Sequence, residues 1–165
     1  MCGIVGIFNY KKVNKKFMLS LSNKIRHRGP DSNDIYLQKK NNLGLASLRL
    51  AIVDASKRGN QPTHSYSGRF VMVYNGEIYN YLELKKELEA LGHKFKTDGD
   101  TEVLIHSLRE WGIEKALNKF EGMWAFAWFD EISKKLFLSR DRFGEKPLYF
   151  YRNNNSFYFG SEIKN

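Results

Sequence analysis

The first residue that could do chemistry is Cys2, the single cysteine among the 165 residues. Met1 precedes a small side chain, which favours removal of the initiator methionine, so the mature chain would carry a thiol and a free α-amine on one residue. An α-amine has a pKa of ~7.7–8.0 and is therefore partly neutral near neutral pH. Cys2 is thus a candidate nucleophile that brings its own base. A small buried hydrophobe is the alternative interpretation.

A cysteine that attacks an amide needs hydrogen-bond donors where negative charge develops on the carbonyl oxygen. Asn75 and Gly76 follow a strand-like segment and offer a side-chain amide and a backbone N–H for this purpose. The same dipeptide is a strong signal for a hairpin turn. In isolation the two interpretations are equally supported.

Two charged residues are candidates for holding an amino-acid substrate. Arg49 lies between Leu48 and Leu50 in a strand-like run, where a charge requires a partner or a ligand. An amino acid needs a cation for its carboxylate and an anion for its ammonium group. Asp100 is the matching acid, although its spacing alone favours a helix N-cap.

Other kinds of site are not indicated. The four histidines are far apart and lack metal-ligand spacing, so no metal site is predicted. Neither of the two common glycine-rich phosphate-binding patterns occurs.

The hydrophobic periodicity predicts one α+β domain. Strands are predicted at 3–8, 43–50, 69–74, 123–129, 135–139, 148–152 and 157–160, the last four as a meander. Helices are predicted at 17–25, from Asn80 to Gly92, and from Asp100 or Thr101 to Gly112. The second of these has an apolar stripe formed by Leu82, Leu84, Leu88 and Leu91.

Composition narrows the class of protein. Hydrophobic residues make up 42% of the chain and aromatic residues 15%, which is enough for a packed core. The net charge of +9 comes from scattered basic residues, which favours a solvated surface over a nucleic-acid site. No apolar run is long enough to span a membrane. A single cysteine and the lack of a signal peptide predict a cytoplasmic protein.

Several segments together resemble the glutaminase domain of class II glutamine amidotransferases, and most of all that of glutamine-hydrolysing asparagine synthetases. They occur in the family's order and cover essentially the whole chain: residues 1–8 (MCGIVGIF), 27–31 (HRGPD), 49–54 (RLAIVD), 61–62 (QP), 74–80 (YNGEIYN), 100–103 (DTEV), 122–127 (GMWAFA), 140–144 (RDRFG), 146–149 (KPLY) and 160–164 (GSEIK).

The resemblance implies an N-terminal-nucleophile fold over residues 2–165, a four-layer αββα sandwich of two antiparallel sheets. It implies that Cys2 attacks the side-chain amide of L-glutamine, forming a γ-glutamyl thioester and releasing ammonia. Asn75 and the Gly76 N–H would form the oxyanion hole. The implied glutamine-binding residues are Arg49, Leu50, Ala51, Ile52, Val53, Asn75, Gly76, Glu77 and Asp100.

The resemblance also implies a partner. In the family this domain precedes an ATP-dependent synthetase domain that receives the ammonia, and that domain is expected to be absent from this chain. No cofactor is expected for glutamine hydrolysis, whereas ATP and Mg²⁺ are expected for the synthetase domain. No nucleic acid or membrane partner is expected, and a homodimer is an open alternative.

Two rival functions remain at this point. The first keeps the fold and changes the ammonia acceptor to a sugar phosphate or another carboxylate. The second is a catalytically silent, basic binding module, for which binding would fall steeply with salt.

Overall fold

The computed structural model describes residues 2–50 and 60–163 and shows two antiparallel sheets with helices outside them. The strands are β1 (Gly3–Phe8), β2 (Ser32–Gln38), β3 (Leu43–Arg49), β4 (Thr63–His64), β5 (Phe70–Ile78), β6 (Gly122–Asp130), β7 (Lys135–Arg140), β8 (Tyr149–Asn153) and β9 (Ser156–Gly160). The helices are α1 (Lys15–Asn23), α2 (Tyr81–Ala90) and α3 (Asp100–Lys119), with 3₁₀ turns at Arg26–Arg28 and Lys39–Asn41.

The strands form a five-stranded sheet and a four-stranded sheet that pack face to face. The first, sheet A, has the order β2-β3-β1-β9-β8, and the second, sheet B, has the order β4-β5-β6-β7. Helix α1 packs on sheet A, whereas α2 and α3 pack together beside sheet B. The layers are therefore helix, sheet, sheet, helices, as the sequence predicts. No helix in the described ranges is long and apolar enough to cross a membrane.

Alternation along the strands decides which side chains lie between the sheets. In β1, Ile4 packs in the core between the sheets, while Val5 packs under α1. In β5, Val71 and Val73 face sheet A, while Met72 packs against α2 and α3. The same alternation of side chains, extended to the ends of the strands, places Cys2, Arg49 and Asn75 on the faces that lie between the sheets, at one end of the sandwich.

The strand predictions are largely confirmed, with two exceptions of physical interest. Strand β2 was not predicted, because all seven of its residues are only half-buried and apolar and polar residues do not alternate clearly along it. The predicted meander is wrong as a unit, because β6 and β7 lie in sheet B whereas β8 and β9 lie in sheet A.

The helix predictions are confirmed in position and corrected in detail. Leu84 and Leu88 are buried, but Leu82 and Leu91 are 54% and 57% exposed, so the stripe is narrower than expected. Gly112 interrupts the helical conformation of α3 with φ +72°, as its predicted role as a stop requires, but a further helical segment that was not predicted follows it and continues to Lys119.

Asp141 anchors the segment between β7 and β8. Its buried carboxylate accepts N–H bonds of 3.2 Å from Trp124, 3.1 Å from Phe143, 2.9 Å from Glu145 and 3.0 Å from Lys146. Burial acts to raise the pKa of Asp141, but these donors outweigh it and lower the pKa below the ordinary value. The charged carboxylate therefore stabilises the native state.

We expect Asp141→Asn to lower the free energy of unfolding at pH 7 by roughly 2–3 kcal/mol, because bonds to a charged acceptor are lost. A depressed pKa contributes stability above the ordinary pKa of ~3.9, and that contribution is lost as pH falls below it. Urea unfolding should therefore show a smaller difference in the free energy of unfolding between wild type and Asp141→Asn at pH 3 than at pH 7. Asp98→Asn, at an exposed carboxylate 3.4 Å from Lys85, is the control and should change little. Equal stability of Asp141→Asn and wild type at pH 7 would contradict the anchoring role.

Candidate active site

A pocket of about 1050 Å³ opens at the end of the sandwich where the inner-facing polar residues lie. Its lining includes the predicted site residues Cys2, Arg49, Leu50, Asn75, Gly76, Glu77 and Asp100. Sheet A contributes Cys2, just before β1, and Arg49, the last residue of β3. Sheet B contributes Asn75 and Gly76 from β5. The predicted residues Ala51, Ile52 and Val53 lie outside the described residues.

The Cys2 thiol lies against the backbone of Leu50. Its Sγ is 3.5 Å from the Leu50 N–H donor and 3.7 Å from the Leu50 carbonyl oxygen. The thiol can donate to the carbonyl, whereas a thiolate would accept from the N–H instead. The half-buried sulfur therefore lies within reach of both a donor and an acceptor of the Leu50 backbone.

Residues 75–76 do not form a turn, because β5 continues to Ile78. Gly76 lies opposite Trp124 in β6. The Trp124 N–H donates to Asp141 Oδ2 and the Trp124 carbonyl accepts from the Asp141 N–H, so both backbone groups of Trp124 point away from β5. Gly76 therefore belongs to a non-hydrogen-bonded pair, and its N–H points away from β6.

The neighbouring N–H groups show where the Gly76 N–H points. The N–H of Tyr74 donates to Gln61 Oε1 at 2.6 Å, and that of Ile78 donates to Asp100 Oδ2 at 2.9 Å. Both acceptors line the pocket. Between these two satisfied donors, the Gly76 N–H has no side-chain acceptor within residues 2–50 and 60–163.

The Asn75 side chain supplies a second donor of the same kind. Asn75 is 2% exposed, and its amide Nδ2 is buried with no hydrogen-bond partner in the described part of the chain. A buried donor without a partner costs free energy that a ligand can recover. Two N–H donors without an acceptor in the described ranges thus come from consecutive residues of one strand.

Only glycine fits at position 76. A Cβ there would lie 2.3 Å from the Met123 carbonyl oxygen and 2.8 Å from Trp124 Cα. Close packing of β6 against this residue, and not turn geometry, is the reason for the glycine.

Arg49 is a buried charge at the mouth of the site, with 9% of its surface exposed. Its Nη1 donates to Asn60 Oδ1 at 2.9 Å, and further contacts of the guanidinium also exist. The structure gives this charge a side-chain partner and places it in the lining of the pocket.

Asp100 is the first residue of α3, but its side chain does not cap that helix. Gly99 is the N-cap, and Asp100 Oδ2 instead accepts from the Tyr74 hydroxyl at 2.7 Å and from the Ile78 N–H at 2.9 Å. Burial raises the pKa of Asp100 above its ordinary value, although both donors act to lower it. Burial and the neighbouring Asp100 also raise the pKa of Tyr74, which keeps the phenol as a donor. A cationic ligand would offset the cost of this partly buried carboxylate.

Sequence reasoning missed two supporting residues. The Tyr74 hydroxyl donates to the Asp100 carboxylate and orients it. The Gln61 side chain accepts from the Tyr74 N–H, which lies two residues before the Gly76 N–H in the same strand. Tyr74 reads as an ordinary strand residue, so no local signal indicated its contact with a residue 26 positions away. Both residues occur in the family pattern, in the segments 61–62 and 74–80, but neither was assigned a role.

Solved structures establish the class of fold. The glutamine phosphoribosylpyrophosphate (PRPP) amidotransferase from B. subtilis superposes with a TM-score of 0.79 and 21% identity, over 97% of this chain and 42% of that chain. A second structure, described as the allosteric regulatory enzyme of purine biosynthesis, matches with the same TM-score. The chain has the fold of these proteins, which confirms the predicted sandwich.

The family follows from the sequence comparison. A family model described as a glutamine amidotransferase domain matches residues 1–165, and the chain belongs to this family. The putative asparagine synthetase (glutamine-hydrolyzing) 2 of Methanocaldococcus jannaschii is 40% identical over 99% of this chain. Asparagine synthetase (glutamine-hydrolyzing) 1 of Bacillus subtilis is also 40% identical over 99%. The chain spans 34% and 26% of these two relatives.

Proposed function

We propose that this domain hydrolyses the side-chain amide of L-glutamine to glutamate and ammonia, with Cys2 as the nucleophile. One observation carries the proposal: the Cys2 thiol shares a pocket with two adjacent donors that lack partners within the described residues, the Gly76 N–H and Asn75 Nδ2. Unsatisfied donors beside a nucleophile are what a developing oxyanion requires. Membership of the amidotransferase family supports the same reaction.

The chemistry follows from these groups. After loss of Met1, the α-amine of Cys2 accepts the thiol proton and Sγ attacks Cδ of glutamine. The carbonyl oxygen becomes an oxyanion that Gly76 N–H and Asn75 Nδ2 stabilise. The C–N bond breaks, the amine-held proton passes to the leaving nitrogen, and ammonia departs. Water then attacks the γ-glutamyl thioester, passes a proton through the α-amine to sulfur, and releases glutamate.

Two charged side chains support recognition of the amino-acid end of the substrate. Arg49 is assigned to the α-carboxylate and Asp100 to the α-ammonium group. Leu50 and Glu77 complete the pocket from the described residues. The contributions of residues 51–53 stay a prediction from the family resemblance.

The acceptor of the ammonia is a proposal at the level of the whole protein. Relatives named asparagine synthetase support an ATP- and Mg²⁺-dependent synthetase domain that amidates aspartate. They favour this acceptor over a sugar phosphate. In this assignment residues 2–165 are the glutaminase domain, and the cytoplasm is the expected location.

The test is the intact mass of the purified chain before and after exposure to 6-diazo-5-oxo-norleucine, a glutamine analogue that alkylates such nucleophiles. We expect a chain without Met1 that gains one adduct, mapped by peptide analysis to Cys2 and suppressed by excess glutamine. A chain without Met1 that gains no adduct, or gains one elsewhere, would contradict the assignment of the nucleophile.

A further inference from the structure

We infer that Glu162 is a positioning residue for the Cys2 nucleophile and acts through Arg28. The inference rests on the proposed function, because it concerns the same thiol. Neither Arg28 nor Glu162 is among the residues that line the pocket. Their effect is on the backbone that holds the sulfur.

A chain of contacts links Glu162 to Cys2. Arg28 Nε donates to the Cys2 carbonyl oxygen at 3.2 Å, and Arg28 Nη1 donates to Glu162 Oε1 at 3.2 Å. His27 Nε2 lies 2.7 Å from the same carboxylate oxygen. The Arg28 and Glu162 side chains are 10% and 20% exposed, so this pair is better shielded from water than a surface ion pair.

The Cys2 carbonyl depends on this contact because Cys2 precedes the strand. The pairing of β1 with β3 begins at Gly3, opposite Leu48, so no strand partner holds the residue before it. The stem of Arg28 also packs beside Gly3, where a Cβ would lie 3.3 Å from Arg28 Cβ. Arg28 therefore fixes the peptide unit that carries the nucleophile.

Glu162 fixes the orientation of Arg28. A guanidinium is a planar fork, so holding one nitrogen on a carboxylate also sets the direction of the Nε–H bond. Glu162 is itself placed by Ser161, whose N–H donates to the Ile4 carbonyl at 2.9 Å and whose Oγ accepts from the Ile4 N–H at 3.0 Å. Residues 161 and 162 thus hold the start of β1 at two points.

The test compares Glu162→Ala and Glu162→Gln with wild type in steady-state glutamine hydrolysis. We expect Glu162→Ala to lower kcat by roughly 10- to 100-fold, since a small misplacement of reacting groups has effects of this order. KM should stay within about twofold, because the binding residues are untouched. Glu162→Gln keeps an oxygen that accepts from Arg28 and should restore most of the rate. Alkylation of Cys2 should be slowest in Glu162→Ala and closer to the wild-type rate in Glu162→Gln.

Thermal unfolding and a matched control separate positioning from stability. Glu87→Ala removes another side-chain ion pair, in which Glu87 Oε2 lies 2.6 Å from Lys119 Nζ on the helical side of the domain. This variant should leave kcat unchanged. Wild-type kcat in Glu162→Ala, while Cys2 is still alkylated, would overturn the positioning role and leave the proposed function standing. A kcat loss that follows a fall in Tm and is not restored by Glu162→Gln would also overturn it. No hydrolysis and no alkylation in the wild type would overturn both proposals.

Discussion

Replacing Cys2 by alanine is expected to abolish glutamine hydrolysis while the fold stays intact. The loss should be on the order of 10⁴-fold or more, because no other group can form the thioester. Stability should change little, since the hydrogen-bond contacts of the half-buried sulfur with the described residues are two long ones to the Leu50 backbone. Glutamate release and thermal unfolding measure the two effects.

The alanine variant also separates binding from chemistry. It keeps a small residue at position 2, so Met1 removal and the free α-amine are retained. Glutamine should therefore still bind, as calorimetry can measure, with an affinity close to that of wild type. Glutamate release at the wild-type rate would refute Cys2 as the nucleophile.

The second large effect is expected at Asn75. Asn75→Ala should lower kcat by roughly 10²–10³ with a smaller change in KM, because its donor acts mainly when the oxyanion forms. Nδ2 has no partner within the described residues, so its removal breaks no hydrogen bond of that atom in the free enzyme. Steady-state kinetics with glutamine measure the effect.

Ser107→Ala is the matched control for Asn75→Ala. Ser107 is fully buried in α3, and its Oγ likewise lacks a partner among the described residues, but it does not line the pocket. Its removal should leave kcat unchanged. If Asn75→Ala retained kcat within a fewfold of wild type, Asn75 would have no part in the oxyanion hole.

Two of the predicted site residues are conspicuous in the sequence, because the chemistry of Cys2 and Arg49 does not fit the segments around them. Asp100 is proposed only as the acid that matches Arg49, since its spacing alone favours a helix N-cap. All three residues line one pocket. Taken in isolation, residues 75–76 fit a hairpin turn and an oxyanion hole equally well, because an Asn-Gly pair gives the same local signal in a turn and in a strand. The packing of β6 against Gly76 is a long-range contact, and only the folded structure shows it.

The fold was predictable where periodicity is strong. Strand β1 was found close to its observed position from a short apolar run, and helix α2 from apolar residues at helical spacing. Strand β2 was missed because its half-buried residues carry little hydrophobic signal. The division of β6–β9 between two sheets depends on which faces meet, and local pattern does not encode that choice. The same applies to the contact of Glu162 with Arg28, which joins residues 134 positions apart.

The pocket is shared between two sheets, and this has a consequence for how activity is lost on unfolding. Cys2 and Arg49 come from sheet A, whereas Asn75 and Gly76 come from sheet B. A core of apolar side chains between the sheets, including Ile4, is what holds the two halves of the site together. In a molten state the backbone structure persists but such packing loosens, so the two halves of the site would no longer be held in a fixed position relative to each other. Catalysis therefore reports the cooperative assembly of the sandwich and should disappear before the far-ultraviolet circular dichroism does.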